Sequence, residues 1–179
     1  LQQMFIEKAQ AAMVNTPIVV AGLPTRGAAD ARVMMVEVSD YHCPFCRRHT
    51  LTTQPQIDAE FINTGKLRYA FIDYPIDQLH PDAFRAHEAA SCAGEQGKYW
   101  EMHAKLFETP PAREGAQLVP QLVAQAQSIG LDVAKFRAGL AKLNDFRSFA
   151  TEDEFGNFVQ TTLRLSGEGE GRVIELAGG

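Results

Sequence analysis

One stretch, RVMMVEVSDYHCPFCRRH at residues 32–49, constrains the fold more than any other part of the chain. It opens on a nearly unbroken apolar, β-branched run, Arg32 to Ser39, which suits a central strand buried on both faces. A short loop, Ser39 to His42, then leads into Cys43-Pro44-Phe45-Cys46. Proline favours the first helical position, where its missing N–H costs nothing, so Cys43 becomes the N-cap of a helix. The N-cap side chain faces the free N–H groups of Phe45 and Cys46 and the positive end of the helix. Both effects favour a thiolate over a thiol. Cysteines so placed titrate at roughly 3.5–7.5, against about 8.5 for a free thiol. Cys46 lies on the same helix face one turn further in, placed to resolve a mixed disulfide formed at Cys43.

A Cys-x-x-Cys pair also suits a metal site or a plain structural bridge. A zinc site needs a second ligand pair, and the chain offers only Cys92 and scattered histidines. Three cysteines are too few for a disulfide scaffold, and a chain of 179 residues has core enough without one. Redox chemistry at Cys43 and Cys46 is the favoured reading, with no metal and no organic cofactor required. Cys92, in AASCAGEQ, reads as a buried helix residue without chemistry. The net charge is −5 with no basic run, which argues against nucleic acid as a partner. The apolar runs VMMV and TPIVVAGL are far too short to span a bilayer. No signal-peptide pattern is visible, and the chain starts at Leu1, which fits a trimmed or mature form as well as a cytosolic protein.

The strand before the motif carries one acid. Alternation puts Val33, Met35 and Glu37 on one face and Met34, Val36 and Val38 on the other. Burial raises a carboxyl pKa, so Glu37 is expected to exchange protons near neutral pH and to take the proton of Cys46. The plainer alternative is a salt-bridged or edge-exposed carboxylate. His42 and His49 flank the motif, either adding positive potential near the sulfur or standing as ordinary surface histidines.

Along the chain, QQMFIEKAQAAMVN has helical spacing, NTPIVVAG is a strand candidate and LPTRGAADA a loop. The segment from Cys43 to Gly65 predicts a long helix interrupted near Pro55 and closed by Gly65. KLRYAFIDYP is a second central strand. From Pro81 to about Leu143 the period is helical, with four helices expected, one opening on Asp132. Trp100 and Phe107 fall on its core-facing side. DFRSFATEDEFGNF is a weaker helix, and VQTTLRLSGEGEGRVIELAGG predicts a hairpin.

The segments VEVSDYHCPFCRRH, DYPIDQLHPDAFRAHEAASCAGEQGKYWEMHAKLFE and GLDVAKFRAGL closely resemble the bacterial DsbA-like thiol–disulfide oxidoreductases. The resemblance implies an α/β, thioredoxin-like fold with an inserted helical domain. The expected boundaries are 1–78 for the first part of the thioredoxin domain, 79–143 for the insertion and 144–179 for the closing hairpin part. It implies Cys43 as nucleophile, Pro44 and Phe45 as the active-site dipeptide, Cys46 as resolving cysteine and Glu37 as the family's buried glutamate. It also implies an oxidase acting on unfolded or reduced client proteins outside the cytoplasm, re-oxidised by a membrane partner. The signal or anchor segment is expected to lie outside this chain. A reductase or isomerase on the same fold, or a non-catalytic metal-binding or holdase module, are the alternatives. The family's cis-proline loop, which holds substrate, would fall at VQTTLRL, where Thr161 and Thr162 stand and no proline does. The Thr161–Thr162 bond is therefore expected to be trans. The family's final helix also has no counterpart before Gly179.

Overall fold

The computed structural model describes residues 20–76, 78–81, 83–112 and 115–142 in full, and 173–175 by their backbone. Strand β2, Val33–Ser39, and strand β3, Leu67–Asp73, pair in parallel from Val33 opposite Leu67 to Ser39 opposite Asp73. A parallel pair needs a crossover, and the helical run that begins at Pro44 supplies it. A two-residue strand β1, Thr25–Arg26, lies antiparallel on the far side of β3, in a stretch expected to be loop. Strand β4, Val173–Glu175, pairs with β2, so the sheet order is β1-β3-β2-β4. Its pairing is parallel, with Met34 opposite Val173. The first arm of the expected hairpin, Val159 to Leu165, lies outside the described residues, as do the N-terminal helix, most of NTPIVVAG and DFRSFATEDEFGNF.

The middle of β2 is buried on both faces, through Met35 and Val36, as its apolar run requires. Its C-terminal end opens to solvent at Val38, next to the loop that carries the cysteines. The crossover is one helical run in four pieces: α1, Pro44–Arg48; a π-helical turn, His49–Thr53; α2, Gln54–Ile57; and a second π-helical turn, Asp58–Ile62. The predicted interruption near Pro55 takes this form. Proline has no N–H to donate and its ring crowds the preceding turn, so that turn widens instead of breaking. Gly65, at φ 74°, closes the run. Gly27, at φ 95°, is needed for space as well: a Cβ there would sit 2.6 Å from the Leu67 carbonyl oxygen.

Four helices follow, as the periodicity predicts: α3, Ala83–Gly94; α4, Tyr99–Glu108; α5, Leu118–Ser128; and α6, Val133–Lys142. The Asp132 carboxylate caps α6, accepting the Ala134 N–H at 2.9 Å and the Lys135 N–H at 3.0 Å. Helix α3 is the hub of this layer. Its run of buried alanines lets neighbours approach closely, and Cys92 is buried among them without a redox partner. Met35, Tyr69 and Phe71 of the sheet share one apolar core with Met102, Leu106 and Phe107 of α4 and with Leu122 and Phe136. Trp100 is only partly buried. Its ring packs 5.5 Å from Tyr69 while its indole N–H reaches the Thr25 carbonyl at 3.3 Å, tying β1 to α4.

Candidate active site

Cys43 is the N-cap of α1, as the Cys-Pro order predicts, and Pro44 opens the helix. Its backbone is extended, at φ −73° and ψ 121°, which aims the side chain at the first turn. The Cys46 N–H donates to the Cys43 sulfur at 3.4 Å. Cys43 and Cys46 are both half-buried free thiols, but their surroundings differ. Burial pushes the Cys46 thiol up, and the neighbouring Cys43 adds to this. A hydrogen bond from the Asp40 backbone N–H works in the other direction without overcoming it. Phe45, between them, is 63% exposed and projects outward beside Pro44. Arg47 pins the other side of the helix, donating to the carbonyls of Phe107 at 2.8 Å and Glu108 at 3.2 Å. Those carbonyls close α4, so the cation also meets the negative end of that helix.

Glu37 is mostly buried on β2, as expected, but its charge state is not the expected one. Burial is the largest single influence and would raise its pKa. Hydrogen bonds from His49 and Tyr69, with the His49 charge, outweigh it, and the carboxyl sits below its ordinary value. The Tyr69 hydroxyl donates to Glu37 Oε2 at 2.6 Å, and His49 Nε2 lies 3.4 Å from the same oxygen. The expectation of a raised pKa is therefore corrected: Glu37 is a carboxylate at neutral pH. The group held above its ordinary value is His49, raised by its hydrogen bond to Glu37 against the opposing effect of burial. His49 is thus neither an ordinary surface histidine nor simply a neighbour of the sulfurs. His42 is buried in the loop, its ring edge-on to His80 at 6.3 Å.

Sequence reasoning missed Asp40, His80 and His87, which lie beside the redox loop. The signal available was an aspartate directly ahead of the motif. Its histidine partners stand 40 and 47 positions further on, beyond any local pattern. Thr161 and Thr162, with the bond between them, lie outside the described residues. Among the described residues no three His, Cys, Asp or Glu side chains are grouped to hold a metal ion, and no helix is long and apolar enough to cross a membrane.

The strand, capped cysteine helix, parallel strand and helical layer form a thioredoxin-like α/β unit. A thioredoxin family profile matches residues 21–161, and the chain belongs to that family. Its architecture is the DsbA-like one: the thiol–disulfide exchange protein alpha-DsbA2 from Wolbachia pipientis superposes with a TM-score of 0.62 at 20% identity, covering 94% of this chain and 84% of that one. Disulfide bond formation protein D of Bacillus subtilis is 29% identical over 139 residues, 75% of this chain and 60% of that protein. A Na(+)/H(+) antiporter NhaA 1 of Salinispora arenicola is 34% identical over 116 residues, 65% of this chain. The match spans only 17% of the antiporter's own length.

Proposed function

We propose that this chain is a dithiol–disulfide oxidoreductase of DsbA type that oxidises client dithiols through Cys43. The observation that carries this is the capped sulfur: Cys43 is accessible at a helix N-terminus and accepts the Cys46 N–H at 3.4 Å, with Cys46 set behind it. An interaction that stabilises a Cys43 thiolate stabilises the reduced pair, and so makes the disulfide a stronger oxidant. The family membership and the likeness to disulfide bond formation protein D support the same reading.

In the oxidised protein, a client thiolate attacks the Cys43 sulfur. The Cys43–Cys46 bond breaks, Cys46 leaves as a thiolate, and the client is held as a mixed disulfide on Cys43. Cys46 then takes a proton. A second client thiolate attacks the client sulfur of that bond and releases Cys43 as a thiolate. The client loses two electrons and two protons, and the protein ends as a dithiol. In the reverse direction Cys46 is the attacking group, and it must first lose its proton. Burial opposes that loss, so a base is needed; we assign it to the Glu37–His49 pair on the buried strand ahead of the motif, although its carboxylate, held below its ordinary pKa, is a weaker base than burial alone would make it. Clients meet the exposed Phe45 and Pro44, and we place the substrate loop at Thr161 and Thr162. We further infer an extracytoplasmic setting and re-oxidation by a membrane partner.

The test is capture of the intermediate. The Cys46→Ser variant should accumulate a mixed disulfide with a reduced client peptide at Cys43, and Cys43→Ser should accumulate none. Trapping at Cys46, or no trapping in either variant, would overturn the assignment.

A further inference from the structure

His49 lies one turn beyond Cys46 on the same helical run, and its backbone N–H donates to the Cys46 carbonyl. Its side chain meets two oxygens at one nitrogen. Nε2 is 3.2 Å from Gln54 Oε1 and 3.4 Å from Glu37 Oε2. The π-helical turn His49–Thr53 is what brings Gln54 there. The Gln54 backbone N–H donates to the His49 carbonyl, so the turn takes one residue more than an α-helical one, and two residues that an α-helix would point apart share a face.

The Gln54 amide is buried, and its polarity is fixed from the far side. Its Nε2 donates to Asp58 Oδ1 at 2.8 Å, four residues on, the spacing at which side chains meet on an α-helix. Asp58 can only accept there, because Arg26 grips it as a carboxylate: Nη1 donates to Oδ2 at 2.8 Å and Nη2 lies 2.8 Å from Oδ1. Arg26 is held in turn against two rings, 4.9 Å from the centre of Tyr69 and 5.1 Å from that of Trp100. The Tyr69 hydroxyl donates to Glu37 Oε2 at 2.6 Å. The contacts thus close into a ring that returns to the oxygen facing His49.

An amide that gives its N–H to Asp58 turns its carbonyl to His49. Nε2 therefore faces an amide carbonyl and a carboxylate, and neither has a proton to donate. Only a protonated Nε2 satisfies them, in the neutral ring as in the charged one. We propose that Gln54 and Asp58 are positioning residues for His49: they keep one proton on Nε2, so that Nδ1 is the atom at which His49 gains and loses its proton. The His49 side chain is 30% exposed, so water reaches the ring. The Glu37 hydrogen bond lifts the His49 pKa against burial, and the Gln54 carbonyl acts in the same direction. The same contacts hold Glu37 as a carboxylate, so a proton taken up by the pair resides on the imidazole. The bearing on disulfide exchange rests on the assignment of the Glu37–His49 pair as the base for Cys46.

The experiment follows the His49 ring nitrogens by NMR across pH in the wild type and in Asp58→Asn, with His49→Gln to identify their signals. In Asp58→Asn, Arg26 holds the new amide by its oxygen and turns its N–H to Gln54. The Gln54 amide then reverses and offers His49 a donor. The neutral ring should shift its proton from Nε2 towards Nδ1, and the His49 midpoint should fall by about half a pH unit or more. Gln54→Met only removes the acceptor; it should lower the midpoint by less, and it serves if Asp58→Asn fails to fold. A wild-type neutral ring protonated at Nδ1, or an unchanged His49 midpoint in either folded variant, would overturn the proposal whatever happens to Tm, and would leave the base assignment standing. Glutathione supplies the link to the reaction. The reduced protein is mixed with oxidised glutathione. The Cys43 thiolate attacks, forming a Cys43–glutathione disulfide and releasing one glutathione. Cys46 loses its proton and attacks the Cys43 sulfur, closing the protein disulfide and releasing the second. Acid quench and mass spectrometry follow the adduct. In Asp58→Asn the pH dependence of the adduct lifetime should move to lower pH with the His49 midpoint. A midpoint that moves while the lifetime profile stays fixed would remove the Glu37–His49 pair from the reaction, and the positioning role with it. If the wild-type protein forms no adduct at all, the redox assignment itself falls, and this inference with it.

Discussion

Glu37→Gln keeps the shape of the side chain and removes its charge. In the wild-type protein the Tyr69 hydroxyl donates to the carboxylate at 2.6 Å and His49 stands 3.4 Å away. A hydrogen bond to a charged group contributes about 1.5–3 kcal/mol and a neutral one about 0.5–1.5 kcal/mol, so the change loses about 1 kcal/mol. Relief of a buried charge acts in the opposite direction, and net stability should move by no more than about 1 kcal/mol. The pH dependence is the sharper readout. Glu37 is lowered from 4.5, so its contribution to stability is present above that value and lost as pH falls through the lower folded pKa. His49 is raised from 6.5, so its contribution is complete below that value and lost as pH rises through the higher folded pKa. The charged pair exists between the two folded values. In Glu37→Gln the His49 ring, followed by NMR, should titrate lower than in wild type. Thiol–disulfide exchange should slow by about tenfold or more, on the low side of general-base effects because solvent base remains available. An unchanged His49 titration, or exchange kinetics identical across the neutral range, would refute the coupling.

Iodoacetamide at neutral pH should label Cys43 first, because burial pushes the Cys46 thiol up and pushes Cys92 up to about 11. Peptide mapping that finds Cys46 labelled as fast as Cys43 would contradict this. At the α3–α6 contact, a Cβ on Gly139 would lie 2.7 Å from the Cys92 sulfur. Gly139→Ala should cost about 1–3 kcal/mol in overpacking, less about 1 kcal/mol gained in helix propensity. Adding Cys92→Ala removes the obstructing atom, so urea unfolding should show non-additivity of about 1 kcal/mol or more, whereas additive effects would mean the helices simply shift apart. Cys92→Ala alone should leave disulfide exchange at the wild-type rate in the glutathione assay.

The elements legible in the sequence are those whose pattern is local. The apolar run Arg32 to Ser39, the proline after Cys43, and the helical period from Pro81 onward each specify their element without help from distant residues. The shared core of sheet and helices follows from them, since every helix of the layer has an apolar face to bury. Charge state is different. Glu37 was readable as a buried acid, but its pKa depends on Tyr69 from the neighbouring strand and on His49 from a π-helical turn, and burial alone points the wrong way. Asp40 illustrates the same limit: His80 reaches it from the segment ahead of α3, and His87 only once α3 has packed against the sheet. Strand β1 is too short to carry a period, and the parallel register of β4 against β2 depends on a pairing more than 130 positions apart.

The central claim is that Cys43 and Cys46 form a reversible, oxidising couple, and the equilibrium of the protein with reduced and oxidised glutathione tests it most directly. The expected result is a single two-electron transition with a potential less negative than about −200 mV, absent in Cys43→Ser. A potential near that of a cytosolic reductant, about −270 mV, would contradict the oxidase direction, and failure to form a Cys43–Cys46 disulfide at any glutathione ratio would contradict the redox assignment as a whole.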